Sequence, residues 1–231
     1  MNPEPHRLRK LLITIDGPAG AGKSTVSRLL AERLGYRYVD TGALYRGVAV
    51  AADRQGVDPA DDAALGRLLA GLELRFRPQA GGQRLLDGGR DITEAIRTPA
   101  ISMLASAVSA RPVVRAHLLE VQRALGRERA AVFEGRDMGT VVFPEADVKF
   151  FLSASEPARA RRRFDELRAK GGSACLEEVE RDMRQRDRQD STRSIAPLTP
   201  APDAVRIDSS EMTVAEVLER MLAHVLEVLS R

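Results

Sequence analysis

The sequence predicts an α/β fold, a parallel sheet with helices on both faces, and three observations predict it. Leu11-Leu12-Ile13-Thr14-Ile15 is a short, nearly unbroken apolar run, the pattern of a strand covered on both sides. It runs into the glycine-rich stretch Gly17-Pro18-Ala19-Gly20-Ala21-Gly22-Lys23-Ser24, and an amphipathic helical stretch, 25–34, follows. Further apolar strands recur at 130–133, 148–152 and 205–208, with helical stretches between them. Alternating strands and helices with short loops favour a parallel sheet whose ligands sit beyond the carboxyl ends of its strands.

The glycine-rich stretch is the strongest single signal. Gly-x-x-x-x-Gly-Lys-Ser between a strand and a helix is a phosphate-binding loop. Glycines let successive backbone N–H groups converge on a polyphosphate, and the following helix adds its positive N-terminal end. Lys23 supplies a point charge, and the Ser24 hydroxyl can reach a magnesium ion. The chain therefore binds a nucleoside polyphosphate.

The remaining elements follow in order. Residues 1–10 read as a mobile polar leader. Gly35 stops the first helix, 36–39 form a second short strand, and Asp40-Thr41-Gly42 caps a helix over 43–54. Val57-Asp58-Pro59 breaks that helix and another starts at Asp61. From Gly71 the pattern changes: 72–76 alternates, 79–82 turns, 83–86 returns and 87–89 turns again, a small antiparallel insertion. Thr98-Pro99 and Arg111-Pro112 each open a helix, running to 110 and to about 126. After the strand at 130–133 comes a short apolar piece, 141–144, and then the strand at 148–152. Residues 156–170 form an arginine-dense helix closed by Gly171-Gly172, and 176–190 a second charged helix. A loop with three prolines, 191–202, leads to the last strand, and the chain finishes in a helix over 214–229.

Composition bounds the function. With 231 residues, 43% hydrophobic and 30% charged, the chain resembles an ordinary water-soluble globule. A net charge of +3, from 36 basic and 33 acidic residues, gives no case for nucleic acid as a partner. A single cysteine, Cys175, excludes an internal disulfide and fits a reducing compartment. No apolar stretch reaches membrane-spanning length, so the expected address is the cytoplasm, with no membrane partner. No heptad seam is present, and a monomer is expected.

Four further groups could carry chemistry. Asp40-Thr41-Gly42-Ala43-Leu44-Tyr45-Arg46 and Gly135-Arg136-Asp137-Met138-Gly139 each follow a strand, where ligands gather. Arg159, Arg161, Arg162 and Arg163 crowd the start of one helix, as a cationic surface or a solvated face. Arg186, Asp190 and Arg193 fall at i, i+4 and i+7, one face if the helix continues that far. A GTPase would show a base-reading Asn-Lys-x-Asp segment, and none is present. A motor would be larger and carry an apolar strand ending in Asp-Glu. So much arginine around a phosphate loop favours a small phosphotransferase, because arginine's fork matches phosphate oxygens bidentately.

At this level the residues carry a resemblance. The run from Ile13 to Pro18, Asp40-Thr41-Gly42-Ala43-Leu44-Tyr45-Arg46, the string Gly135-Arg136-Asp137-Met138-Gly139-Thr140-Val141-Val142-Phe143-Pro144, the segment 186–193 and Ala196-Pro197-Leu198 resemble bacterial cytidylate kinases, in that order. The resemblance covers the chain from about Leu11 to its last helix. It implies transfer of the γ-phosphoryl group of ATP to CMP or dCMP, with Mg²⁺, in pyrimidine metabolism. It implies a P-loop core over 11–67 and 105–231, a monophosphate-binding insert over 68–104 and an arginine-rich lid over 156–170. By that resemblance Gly17, Pro18, Ala19, Gly20, Ala21, Gly22, Lys23, Ser24 and Thr25 cradle ATP. Arg46, Arg136 and Arg186 hold the acceptor phosphate and the group in flight. Thr41, Ser106, Arg115, Asp137 and Arg193 surround the cytosine, and Asp190 meets the sugar. Arg159 and Arg163 are the lid residues that reach the phosphates.

Two departures stand out. Ser24 sits where many relatives have glycine, adding a hydroxyl for Mg²⁺, and Thr41 sits where serine is common. Two rival readings stay open. One is a kinase of the same fold acting on UMP or a non-nucleotide acceptor. The other is a nucleotide-binding regulator that docks nucleic acid on its arginine helix, which predicts salt-sensitive oligonucleotide binding and no acceptor-dependent turnover.

Overall fold

A computed structural model describes residues 9–79, 82–169, 171 and 175–231. Positions 1–8 of the expected leader, 80 and 81 of the expected hairpin turn, and 170 and 172 at the expected helix end lie outside them. The central sheet has five parallel strands in the order β2-β6-β1-β7-β8. These are β1 Leu12–Asp16, β2 Arg37–Asp40, β6 Ala131–Gly135, β7 Val148–Ser153 and β8 Val205–Asp208. Every residue of β1 is buried, because β6 and β7 flank it and helices cover both faces. That is why its sequence runs apolar instead of alternating.

Alternation persists in direction, if not in polarity. Ile13 and Ile15 pack with α1 (Lys23–Leu34) and α8 (Val214–Leu229). Leu12 points the other way, into a cluster with Phe133, Met138 and Phe143. Thr14 and Asp16 share that second direction through the period of two. On the same side stands a larger apolar core built by α2 (Thr41–Gln55), α3 (Asp62–Ala70), α4 (Pro99–Ser109) and α5 (Pro112–Gly126).

The hairpin insertion is a separate antiparallel sheet: β3 Leu74–Gln79, β4 Gly82–Asp87 and the two-residue β5 Arg90–Asp91. A 3₁₀ turn, Ala95–Arg97, then leads to α4. Two charged helices, α6 (Glu156–Ala169) and α7 (Leu176–Thr192), pack on each other through Ala160, Val179 and Met183.

The short apolar piece at 141–144 begins in a π turn, Met138–Val142, in which Val142 N donates to Asp137 O and Phe143 N to Met138 O. Such five-residue hydrogen bonding is rare and is often found beside functional sites. Among the described residues no helix is long and apolar enough to cross a membrane.

Candidate active site

The carboxyl ends of β1, β2 and β6 open on a cleft of about 920 Å³. At one end lies the phosphate loop. Gly17 starts it at φ +150°, and a Cβ there would sit 1.9 Å from the Leu152 carbonyl oxygen, so only glycine fits. Lys23 is buried at the head of α1, and its Nζ donates to Pro18 O at 2.7 Å. Ser24 Oγ donates to Glu134 Oε1 at 2.7 Å, and Tyr38 OH donates to the same oxygen at 3.0 Å. Glu134 Oε2 is buried without a hydrogen-bond partner.

These groups have displaced acidities. Burial, helped by Arg136, lowers the Lys23 ammonium to about 7. Burial, helped by Asp40, raises Glu134 to about 7, while Lys23 opposes the rise. Burial also raises the Tyr38 phenol. A buried lysine at the loop and a buried carboxyl at the end of β6 thus feel each other's charge, each short of solvent.

The opposite end of the cleft is built from four distant segments. Arg46, one turn into α2, donates to Asp40 Oδ2 at 2.7 Å. Arg136, just past β6, donates through Nε to Asp190 Oδ2 at 2.8 Å, and Ser106 Oγ of α4 reaches Asp190 Oδ1 at 3.3 Å. Burial works against the Asp190 charge, yet Arg136 and Arg186 outweigh it and hold the carboxyl below its usual range. Arg186 is less well served. Burial, then Arg136, pushes its guanidinium down to about 10, and its Nε has no partner. Arg186 is thus a poorly solvated cation near Asp190 with one unused donor.

Asp137 sits between two arginines. Arg115 of α5 donates to its Oδ2, and Arg193 NH2 approaches its Oδ1 at 3.5 Å. Arg115 also lies over the Tyr45 ring, 5.7 Å from its centroid. Burial pushes the Asp137 carboxyl up, against the pull of Arg115 and Arg193. Helix α7 ends at Thr192, so Arg193 leaves the helical face in extended backbone (φ −62°, ψ 140°) and reaches Ser109 Oγ and Asp137 from there.

The structure gathers most of the residues that sequence reasoning selects. Residues 19–25 of the loop line the cleft, with Thr41, Arg46, Ser106, Arg115, Arg136, Asp137, Arg186, Asp190 and Arg193. Arg163 lines it too. Arg159 does not. Its side chain is buried, donating to Asp187 Oδ2 at 2.5 Å, Ala154 O at 2.9 Å and Ala19 O at 3.1 Å. It braces the loop from behind. Glu134 and Asp16 are polar groups beside the site that the motifs alone do not single out. The signal for both is a carboxylate on the last turn of an apolar strand, where this fold puts its ligands.

A model of the family described as Cytidylate kinase matches residues 13–227. A protein named Cytidylate kinase from Geobacter sulfurreducens (strain ATCC 51573 / DSM 12127 / PCA) is 55% identical over 219 residues, covering 95% of this chain and 94% of that protein. Another of that name, from Symbiobacterium thermophilum (strain DSM 24528 / JCM 14929 / IAM 14863 / T), is 47% identical over 217 residues, covering 94% and 96%. Among solved structures, an uncharacterized protein from Eubacterium ventriosum ATCC 27560 aligns over 96% of this chain and 100% of its own at a TM-score of 0.50. At 11% identity that likeness concerns the fold alone. With a family match over nearly the whole sheet and its helices, and relatives near half identity over more than nine-tenths of their length, this chain belongs to the cytidylate kinase family.

Proposed function

We infer that this cleft is where the chain, a cytidylate kinase, transfers the γ-phosphoryl group of ATP to CMP or dCMP, giving ADP and CDP or dCDP. The observation that carries the reading is one cleft that joins the phosphate loop to the half-buried Arg46, Arg136 and Arg186, with Asp137 beyond them. Donor and acceptor can then meet with no water between them.

In this reading residues 17–25 hold the ATP phosphates, with Lys23 at the transferred group. Arg46, Arg136 and Arg186 hold the CMP phosphate, and the unpartnered Arg186 Nε is the donor best prepared for it. Thr41, Ser106, Arg115, Asp137 and Arg193 surround the cytosine, and Asp190 takes the sugar. Arg163 reaches the phosphates when α6 closes, and Arg159 acts through Ala19. The three-stranded sheet and the 3₁₀ turn, within 68–104, cover the acceptor. The expected setting is a monomer in the cytoplasm. Only Ile195, Val214 and Leu226 are exposed large apolar side chains among the described residues, too few for an apolar interface.

A CMP phosphate oxygen is already a competent nucleophile, so no general base is needed. The protein's work is positioning and charge stabilisation. Lys23 and the arginines stabilise negative charge on the transferred group, and closure of α6 excludes the water that would hydrolyse ATP.

The residues present fit a magnesium ion. The Ser24 hydroxyl and the unpartnered buried Glu134 oxygen are hard oxygen donors beside the loop. Among the described residues no group of three or more His, Cys, Asp or Glu could form a dedicated cage, as suits an ion that keeps water and phosphate ligands. Ser24, with Glu134 behind it, would hold it. Bound there with ATP, it would neutralise phosphate charge.

The test is ADP release from ATP with each nucleoside monophosphate offered in turn. Turnover with CMP and dCMP well above UMP, AMP and GMP is expected. Equal turnover with UMP, or none that depends on an acceptor, would overturn the reading.

A further inference from the structure

The geometry points to Asp16 as a positioning residue for the acceptor site: its carboxylate fastens the turn that carries Arg136 and Asp137 to the strand that carries the phosphate loop. The inference rests on the reading of Arg136 and Asp137 as CMP-binding residues given above.

Asp16 is the last residue of β1 and is buried, 4% exposed. Its Oδ1 accepts from Met138 N at 2.9 Å and its Oδ2 from Gly139 N at 2.8 Å. Those are the first two N–H groups after Asp137. The strand's alternation aims Asp16 at this turn, in line with Leu12 and Thr14 and away from α1. Gly139 lets the turn come this close, since a Cβ there would stand 3.1 Å from Thr14 Oγ1 and 3.2 Å from Lys149 Cδ.

The other side of Asp16 is equally constrained. Gly17 follows directly, jammed against the Leu152 carbonyl with no room for a Cβ. The loop entrance is therefore fixed to β7, while the carboxylate is fixed to the turn. One side chain thus sets the distance between the groups that hold the donor and the groups that hold the acceptor.

A buried carboxylate is a costly way to make two hydrogen bonds, so its chemistry needs a reason. Two oxygens, one for each N–H, are what two converging donors require, and asparagine offers only one acceptor oxygen. Burial lifts the Asp16 carboxyl to about 6, while the Gly139 and Met138 bonds resist the rise by favouring the carboxylate. A purely structural clamp would also stabilise the fold. What separates the two roles is whether the two substrates are affected unequally.

The experiment uses Asp16→Asn in the full chain. Calorimetric titration gives its Kd for CMP and for a non-hydrolysable ATP analogue, and kinetics give the CMP-to-UMP ratio of kcat/KM. The amide would leave one N–H facing a donor and tilt the turn. Displacements of this kind cost up to about 10²-fold. A CMP Kd weakened roughly tenfold or more, a narrowed ratio and an ATP-analogue Kd within about twofold of the parent are expected. Unchanged CMP binding, or both ligands weakened alike, would overturn the inference. If the variant does not fold, Gly139→Ala displaces the same turn without touching Asp16 and should produce the same unequal loss, in smaller degree. Equal effects of Gly139→Ala on both ligands, or none, would also overturn it. Asp137→Ala run in parallel separates the levels. An unchanged CMP-to-UMP ratio there defeats the reading of the acceptor site itself. A changed ratio there with unaltered CMP binding in Asp16→Asn defeats only the role of Asp16.

Discussion

Arg136 Nε lies 2.8 Å from Asp190 Oδ2, an ion pair between residues 54 positions apart that ties the end of β6 to the last turn of α7. Asp190 is also the counter-charge that tolerates Arg186 beside Arg136. Removing it leaves two half-buried guanidinium groups repelling each other. Breaking one partner of a buried pair costs about 3 kcal/mol or more. Asp190→Ala should therefore lower Tm by roughly 6–12 °C, at 2–4 °C per kcal/mol for a chain of this size. Millimolar phosphate or CMP should restore part of the loss by supplying the missing anion. A melting curve unmoved by the substitution would show that Arg136 and Arg186 are neutralised in some other way.

The phosphate loop predicts a proton uptake. Lys23 is held near 7 in the folded chain against 10.5 for an ordinary lysine. Between those values the unfolded chain binds a proton that the folded chain does not. This group's contribution to stability therefore rises with pH through that window and is poorest near pH 7. Bound polyphosphate favours the charged ammonium of Lys23. That shift takes up a proton. ATP binding at pH 8, titrated in buffers of different ionisation enthalpy, should show net uptake approaching about one proton. Lys23→Met should remove most of it. Net release in the parent protein would contradict this electrostatic picture.

Helix α6 should become most protected when both substrates are bound. Arg159 anchors its first turn to Ala19 and Asp187, so motion is confined to the part beyond, where Arg163 pairs with Glu166 at 2.8 Å. Tryptic cleavage within 161–168 should slow with ATP and CMP together more than with either alone, because mobile exposed segments are cut first. Equal cleavage in all conditions would identify the arginine run as a solvated face.

The sequence makes some of this molecule legible and hides the rest for physical reasons. Strand β8 and helix α8 lie where their patterns put them, the helix opened by a capping box between Thr213 and Glu216. The buried strands were readable because a strand covered on both faces must be apolar throughout. The π turn was not. Val141 and Val142 read only as part of a short apolar piece, and what shapes the turn is a ring of backbone bonds and the carboxylate of Asp16, 122 and 123 positions away from the two N–H groups it holds. Likewise a run of arginines on α6 carries no phase. Only the packing of α7 decides that Arg159 turns inward to Asp187 while Arg163 faces the cleft. β5 and the 3₁₀ turn, at two and three residues, are too short to leave a period in the sequence.

Base choice tests the central claim most directly. Cytosine offers an amine donor where uracil offers a carbonyl acceptor, and on the proposed reading Asp137, which pairs with Arg115 and Arg193, would accept from the first and repel the second. A buried site built for one hydrogen-bonding pattern can reject the other by roughly 10⁴-fold. Arg46→Ala should weaken CMP and UMP alike, since every monophosphate presents the same phosphate. The measurement is kcat/KM for CMP and for UMP in the parent enzyme and in Asp137→Ala. A CMP-to-UMP ratio that collapses toward unity through loss of CMP activity is the expected result, and a ratio unchanged by the substitution would contradict the assignment of Asp137 as the group that reads the base.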